Sequence, residues 1–195
     1  MGKAILTEQF VEIPEGVEVN IKGRTLTTTG ALGTVKKVLP KAPYMLKKIK
    51  KGDKDVVSIR MYYGHKKLNR AVKSIASHIR NTITGVTKGY KYHMRYGFKR
   101  HPMKPVAADD KKSIAISLFL GKRDVSVITA DPGVTIENDK DEKSKMIYVQ
   151  GLDPCAVGNT CLRIYQSCIP RNLDRRKFLD GIYVQIRGNQ VTEDE

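Results

Sequence analysis

The sequence predicts an α+β protein of two tandem homologous domains, each a small, mainly antiparallel β-sheet with a helix packed on one face. Three observations carry that prediction. Residues 14–33, PEGVEVNIKGRTLTTTGALG, align without a gap on residues 102–121, PMKPVAADDKKSIAISLFLG, at an offset of 88. A strand pattern ending in glycine recurs in the second half of each unit. A helical apolar stripe follows that strand both times. Strands first and a helix last is the order of an α+β unit, and a repeat at fixed offset is the mark of a duplicated one.

In the first unit, the alternating stretch ends at Gly33, and Val35-Lys36-Lys37-Val38 begins the next strand. Ser58 to Tyr63 reads as a strand closed by Gly64. Leu68, Val72, Ile75 and Ile79 follow at spacings of 4, 3 and 4, which places them on one face of a helix. That helix is expected to run out over Asn81-Thr82-Ile83-Thr84-Gly85. The second unit repeats the plan. Asp124 to Val127 begins a strand, Met146 to Val149 forms another ending near Gly151, and Val157, Cys161, Ile164 and Cys168 carry the same 4, 3, 4 spacing. Asp153 is placed to cap that helix, with Pro154 at its first position. The join is expected around Gly85–Gly89, dividing the chain into domains 1–86 and 87–195, the second with a C-terminal extension. One helix covers one sheet face, so the other face stays wet or meets a partner.

Charge narrows the function. Lys and Arg number 36 against 20 acids, a net of +16, and an excess that large implies an anionic partner. The excess is uneven: residues 51–105 hold 14 cations and 2 acids, whereas residues 151–195 hold 6 of each. Bulk attraction therefore belongs to the first half, and an anion site in the last quarter acts by position. Three cysteines fit no secretory disulfide framework, and their x5 and x6 spacings fit no zinc site. Cys155, Cys161 and Cys168 are expected to pack in the core, in a reduced compartment. MGKAILTEQF has no apolar stretch long enough for a signal peptide or membrane span.

The segment GYKYHMRYGFKRHPM, residues 89–103, alternates Tyr90, Tyr92, Met94 and Tyr96 with Lys91, His93 and Arg95. It reads as a strand with one aromatic and one cationic face. Its tyrosines either fill the core or stack on bases, and Lys91, Arg95, Lys99 and Arg100 are either solvated or hold phosphates. Lys66, Lys67, Arg70, Lys73 and Arg80 form an acid-free face on the first helix. Gly30-Ala31-Leu32-Gly33 matches a GxxG loop in letters, but strand-like flanks make it a β-turn. His65, His78, His93 and His101 are scattered, no phosphate-binding glycine loop is present, and Asp109-Asp110 and Asp139–Glu142 lie in lysine-rich loops. No catalytic constellation, metal site or cofactor is expected. In RRKFLDGIYV, residues 175–184, Phe178 and Leu179 are expected to anchor the stretch in the core, Asp180-Gly181 to turn, and Ile182–Val184 to return as a strand.

Lys177 to Val184 resembles the eukaryotic C-terminal signature of the universal large-subunit ribosomal protein six family, called protein nine in eukaryotes. Ile13-Pro14 through Lys22-Gly23-Arg24-Thr25 resembles that family's opening, and Gly85 through Arg95 resembles the segment joining its two domains. The resemblance covers nearly the whole chain. It departs at the first-domain turn, where the family's Gly-Pro-Xaa-Gly is here Gly30-Ala31-Leu32-Gly33. The resemblance implies two similar α+β domains binding large-subunit rRNA near the sarcin–ricin loop, beside the region where translation factors dock, with no catalysis. It also implies neighbouring ribosomal proteins as partners, no membrane, and residence in the cytoplasmic ribosome with nucleolar passage during eukaryotic assembly. The expected rRNA-binding residues are Arg175, Arg176, Lys177 and Tyr183, with Lys88, Lys91, Arg95, Lys99 and Arg100. The competing reading is a free RNA-binding regulator outside the ribosome; an RNA-modifying enzyme would need a clustered acid or nucleophile.

Overall fold

The structure is a computed structural model and describes residues 4–52, 54–139 and 144–190. The chain divides after Thr87 into two compact units. The first contains β1 (Ala4–Glu12), β2 (Glu18–Lys22), β3 (Thr25–Gly30), β4 (Gly33–Val38), β5 (Met45–Lys51), β6 (Lys54–Gly64) and helix α1 (Lys66–Thr87). The second contains β7 (Tyr90–Gly97), β8 (Lys104–Ala107), β9 (Ser113–Ser117), a 3₁₀ turn (Phe119–Gly121), β10 (Ser126–Thr129), β11 (Val134–Asn138), β12 (Met146–Gly151), helix α2 (Pro154–Ser167) and β13 (Gly181–Gly188). The 88-residue offset carries Thr25 to Ser113 and Lys66 to Pro154, which begin β3 and β9, and α1 and α2.

Every strand pairing is antiparallel, and each unit holds two sheets. The first unit has β1-β6-β5 and β2-β3-β4; the second has β11-β12-β7-β13 and β10-β9-β8. The sequence predicts one sheet per unit, and the structure has two. Two sheets form because six short strands cannot all reach one helix side by side, whereas two sheets close around its stripe from different directions. The plan is the same twice, with β13 added along the edge of β7 that corresponds to the edge of β1 left unpaired among the described residues.

In the first unit, Val57, Ile59 and Met61 of β6 and Leu26 of β3 face Val72, Ile75 and Ile79 of α1, all almost fully buried. On the other face of β6, Ser58 is buried beneath Glu8, whose carboxylate accepts hydrogen bonds from the Ser58 hydroxyl (2.8 Å) and the Arg60 guanidinium. Those two donors hold Glu8 below the usual carboxylate range.

Helix α1 does not run out at Asn81–Gly85; it continues to Thr87. Thr82 Oγ1 donates to the Ile79 carbonyl (2.8 Å) and accepts from Thr28 Oγ1 (3.4 Å), so a residue of modest helix propensity is satisfied in the interior. Ile83 and Val86 extend the buried stripe. The Gly30–Gly33 turn then closes the helix end, with the Leu32 N–H donating to the Val86 carbonyl at 3.1 Å. This contact requires glycine at position 30, because a Cβ there would lie 2.8 Å from Val86 Cγ2. The GxxG letters thus belong to a hairpin turn that supplies a donor to an otherwise unpaired helix carbonyl.

In the second unit, Met94, Ile147 and Val149 of the four-stranded sheet pack with Val157, Cys161, Ile164 and Cys168 of α2 and Ile114 and Ile116 of β9. The Asp153 side chain caps α2 by accepting from the Cys155 N–H at 3.1 Å. Cys155 is exposed, contrary to expectation, because the capped first turn lies outside the stripe; Cys161 and Cys168 are buried. Burial pushes the Cys161 thiol up to about 12 and raises that of Cys168. At pH 8, maleimide is expected to label one thiol of the native protein, Cys155, within minutes and the other two only after unfolding. Rapid modification of all three would show that the α2 stripe is not packed as described.

Candidate nucleic-acid interface

Strand β7 organises the site because it is paired on both sides, with β12 and β13. Its alternation resolves in favour of the core: Met94 is fully buried, and Tyr90, Tyr92 and Tyr96 lean against the same cluster. The other face carries Lys91, His93 and Arg95. Lys91 Nζ sits 4.5 Å from the centre of the Tyr148 ring, and His93 meets that ring edge-on at 4.9 Å. Partial burial, and then the Lys91 charge, lower the His93 value below that of a free imidazole and disfavour its charged form on this face. Arg95 is exposed, in register with Met146 on one side and Tyr183 on the other.

The C-terminal segment arrives beside the exit of β7. Helix α2 stops at Ser167 because Pro170 follows, and proline neither donates to a further turn nor allows one. Asp174 then nucleates a turn: its carboxylate accepts from the Arg176 N–H (2.9 Å), and its carbonyl from the N–H groups of Lys177 (3.1 Å) and Phe178 (2.9 Å). The Arg176 guanidinium closes on the same carboxylate (Nη2–Oδ2 2.8 Å), which lowers Asp174 and raises Arg176. Asp180, 81 residues from Lys99 in sequence, accepts the Lys99 N–H at 3.0 Å, and Gly181 pairs with Gly97 to start β13.

These contacts leave an open cleft of about 910 Å³ between residues 97–101 and 173–180, with Leu120 of the 3₁₀ turn on a third side. It brings together Lys99, Arg100 and Lys177. Arg175 and Arg176 lie on the same turn, but Arg176 is neutralised locally by Asp174. Lys88 and Lys91 are at the far end of β7; Lys91 lies about 25 Å from Lys99 along an extended strand. Tyr183 stands apart from the cleft, its ring 5.8 Å from that of Tyr165 on α2 and its hydroxyl donating to the Leu179 carbonyl at 3.2 Å. In the other unit, Lys66, Lys67, Arg70, Lys73 and Arg80 of α1 are all exposed.

Phe178 and Leu179 do not enter the core; they are 38% and 68% exposed and line the cleft. The Asp174 turn occupies the Phe178 N–H, so the backbone has not yet joined the sheet there. Ile182, fully buried, is the anchor instead. His101 and Leu120 also line the cleft, and neither is among the residues expected to bind rRNA. The repeat held the signal for Leu120: the offset places Leu118–Gly121 on the Gly30–Gly33 turn.

Asp109 and Asp110 form a local turn in which Asp110 accepts the Lys112 N–H, and of Asp139–Glu142 only Asp139 lies within the described residues. Among the described residues, no group of three or more His, Cys, Asp or Glu is placed to hold a metal ion, and no helix is long and apolar enough to cross a membrane.

No protein-family profile matches the chain. It is 40% identical over 180 residues to large ribosomal subunit protein uL6 of Tetrahymena thermophila, covering 92% of this chain and 94% of that protein. It is 39% identical to uL6 of Candida albicans, over 98% of this chain and 99% of the relative. The chain belongs to the uL6 family. The match extends to an archaeon, with 30% identity to uL6 of Ignicoccus hospitalis over 96% of this chain and 98% of that one. As a uL6-family member it is a structural ribosomal protein of the large subunit and not an enzyme.

The cleft depends on Asp180 gripping the Lys99 amide. In Asp180→Ala, exchange of the Lys99 amide hydrogen is expected to rise roughly tenfold while β7 amides near Met94 stay protected. An unchanged Lys99 rate would mean that this bond does not hold the two segments together.

Proposed function

We propose that this chain holds large-subunit rRNA of the 60S subunit near the sarcin–ricin loop, beside the region where translation factors dock, with neighbouring ribosomal proteins around it. Its place is the cytoplasmic ribosome, reached through the nucleolus during eukaryotic assembly, and its two units act as the two domains, the boundary falling after Thr87, one residue beyond the expected 86/87. The observation that carries the reading is the convergence of Lys99, Arg100 and Lys177 on one cleft, from segments far apart in sequence, in a chain of the uL6 family. Arg175 stands on the adjoining turn, and Arg95 on the sheet face leading to it. Lys88 and Lys91 extend the contact along β7, while Arg176 and Tyr183 shape the turn that presents Lys177.

Cations fixed on a scaffold bind RNA through its backbone, and each phosphate they neutralise releases condensed counterions. Alanine at 99, 100 and 177 together is expected to lower the slope of log affinity against log salt by roughly 2 to 3. These side chains are exposed, so the variant's folding stability should change by less than about 0.5 kcal/mol per site. On a sucrose gradient, the wild-type chain is expected to sediment with 60S particles and the triple variant to trail in the light fractions. Normal incorporation of the variant would refute the assignment, and a wild-type chain confined to light fractions would favour a free RNA-binding regulator.

A further inference from the structure

We propose that the cleft takes one unstacked rRNA nucleotide, its base lying against Phe178 and its adjoining phosphates held by Lys99, Arg100 and Lys177. The inference rests on the rRNA-binding reading and specifies what enters the site.

Cations alone would suffice to track a duplex backbone, because a paired helix shows its partner phosphates and 2′-hydroxyls. This cleft offers more. Leu173, Phe178 and Leu179 are 42%, 38% and 68% exposed, and all three line it. Phe98, half-buried, also lines it, with Lys145 Nζ 4.1 Å from its ring centre. A monomer gains nothing from keeping these apolar groups together in water. A flat apolar base gains from them, and aromatic side chains beside basic ones are how proteins hold unstacked bases. The volume of about 910 Å³ accommodates a nucleotide.

The distribution of charge separates base from phosphate. Asp180 is half-buried in the lining, and Lys99, Arg100 and Lys177 are exposed. A carboxylate repels a phosphate but accepts from the amino hydrogens of a base. It equally disfavours an acidic peptide, whose carboxylates would have to share the cleft with it. The repeat explains why the space exists. In the first unit the last turns of α1 fill the ground beside the Gly30–Gly33 turn; in the second, α2 has 14 residues where α1 has 22, and the equivalent Leu118–Gly121 turn borders an opening.

The test uses large subunits from cells whose only copy of this chain carries Phe178→Ala or Phe178→Trp. Dimethyl sulfate and carbodiimide report base exposure, and hydroxyl radicals report backbone protection. In the alanine subunits, one unpaired base is expected to become about tenfold more reactive while backbone protection around it persists, and tryptophan should restore protection. If the alanine chain fails to assemble, p-benzoylphenylalanine in place of Phe178 decides: crosslinking to one rRNA nucleotide supports the proposal. Crosslinking to a polypeptide overturns it. So do unchanged base reactivities with backbone protection intact, an outcome that leaves rRNA binding standing. Absence of any backbone footprint in the wild type removes the rRNA-binding reading, and this inference with it.

Discussion

The clamp between β7 and β13 is the constraint on which the site depends. Gly97 pairs with Gly181, Asp180 holds the Lys99 amide, and the fully buried Ile182 fixes the register from beneath. Together they bind the exit of the second unit's first strand to the entrance of its last. Without that pairing, Lys99 and Arg100 would belong to one loop and Lys177 to another, with nothing to set their separation. With it, three cations and an apolar wall share one opening. The acids of this region are employed in structure: Asp174 caps a turn and pairs with Arg176, while Asp180 binds backbone. Residues 171–180 hold four cations and two acids, and with both acids engaged in this way the turn presents positive charge outward.

The duplication explains both the stability of the scaffold and the opening in it. In the first unit, a long helix is held by Thr28 and Thr82 and closed by a glycine turn against Val86. Offset by 88, the same plan meets Pro170, which ends α2 early and releases residues 169–180 to cross toward β7. The extra strand β13 then pairs with the edge of β7 whose counterpart on β1 has no strand beside it among the described residues. One copy retains a closed helix end; the other has exchanged it for a cleft and the cations beside it.

Much of this was legible from residues. Spacings of 4, 3 and 4 marked both stripes because helix geometry places such residues on one face, and Asp153-Pro154 marked a helix start because both residue types satisfy its end. The alternation at 90–96 gave the strand but not which face is covered, and α2 packed over one face is what assigns the tyrosines to the core. Phe178 and Leu179 looked like anchors because apolar residues beside a strand are usually buried; the hydrogen bonds of the Asp174 turn, invisible in composition, keep them at the surface. Arg176 looked equivalent to its neighbours until a partner two residues away in sequence proved to be within 3 Å. Local patterns fix local structure, whereas the cleft is made by a contact spanning 81 residues.

A density map of the large subunit containing this chain shows directly what occupies the cleft. The map is expected to show rRNA backbone within hydrogen-bonding distance of Lys99, Arg100 and Lys177, with those three side chains converging on the same stretch of RNA. A map in which the cleft faces solvent or is filled by another protein, with the rRNA approaching elsewhere on the chain, would contradict that expectation.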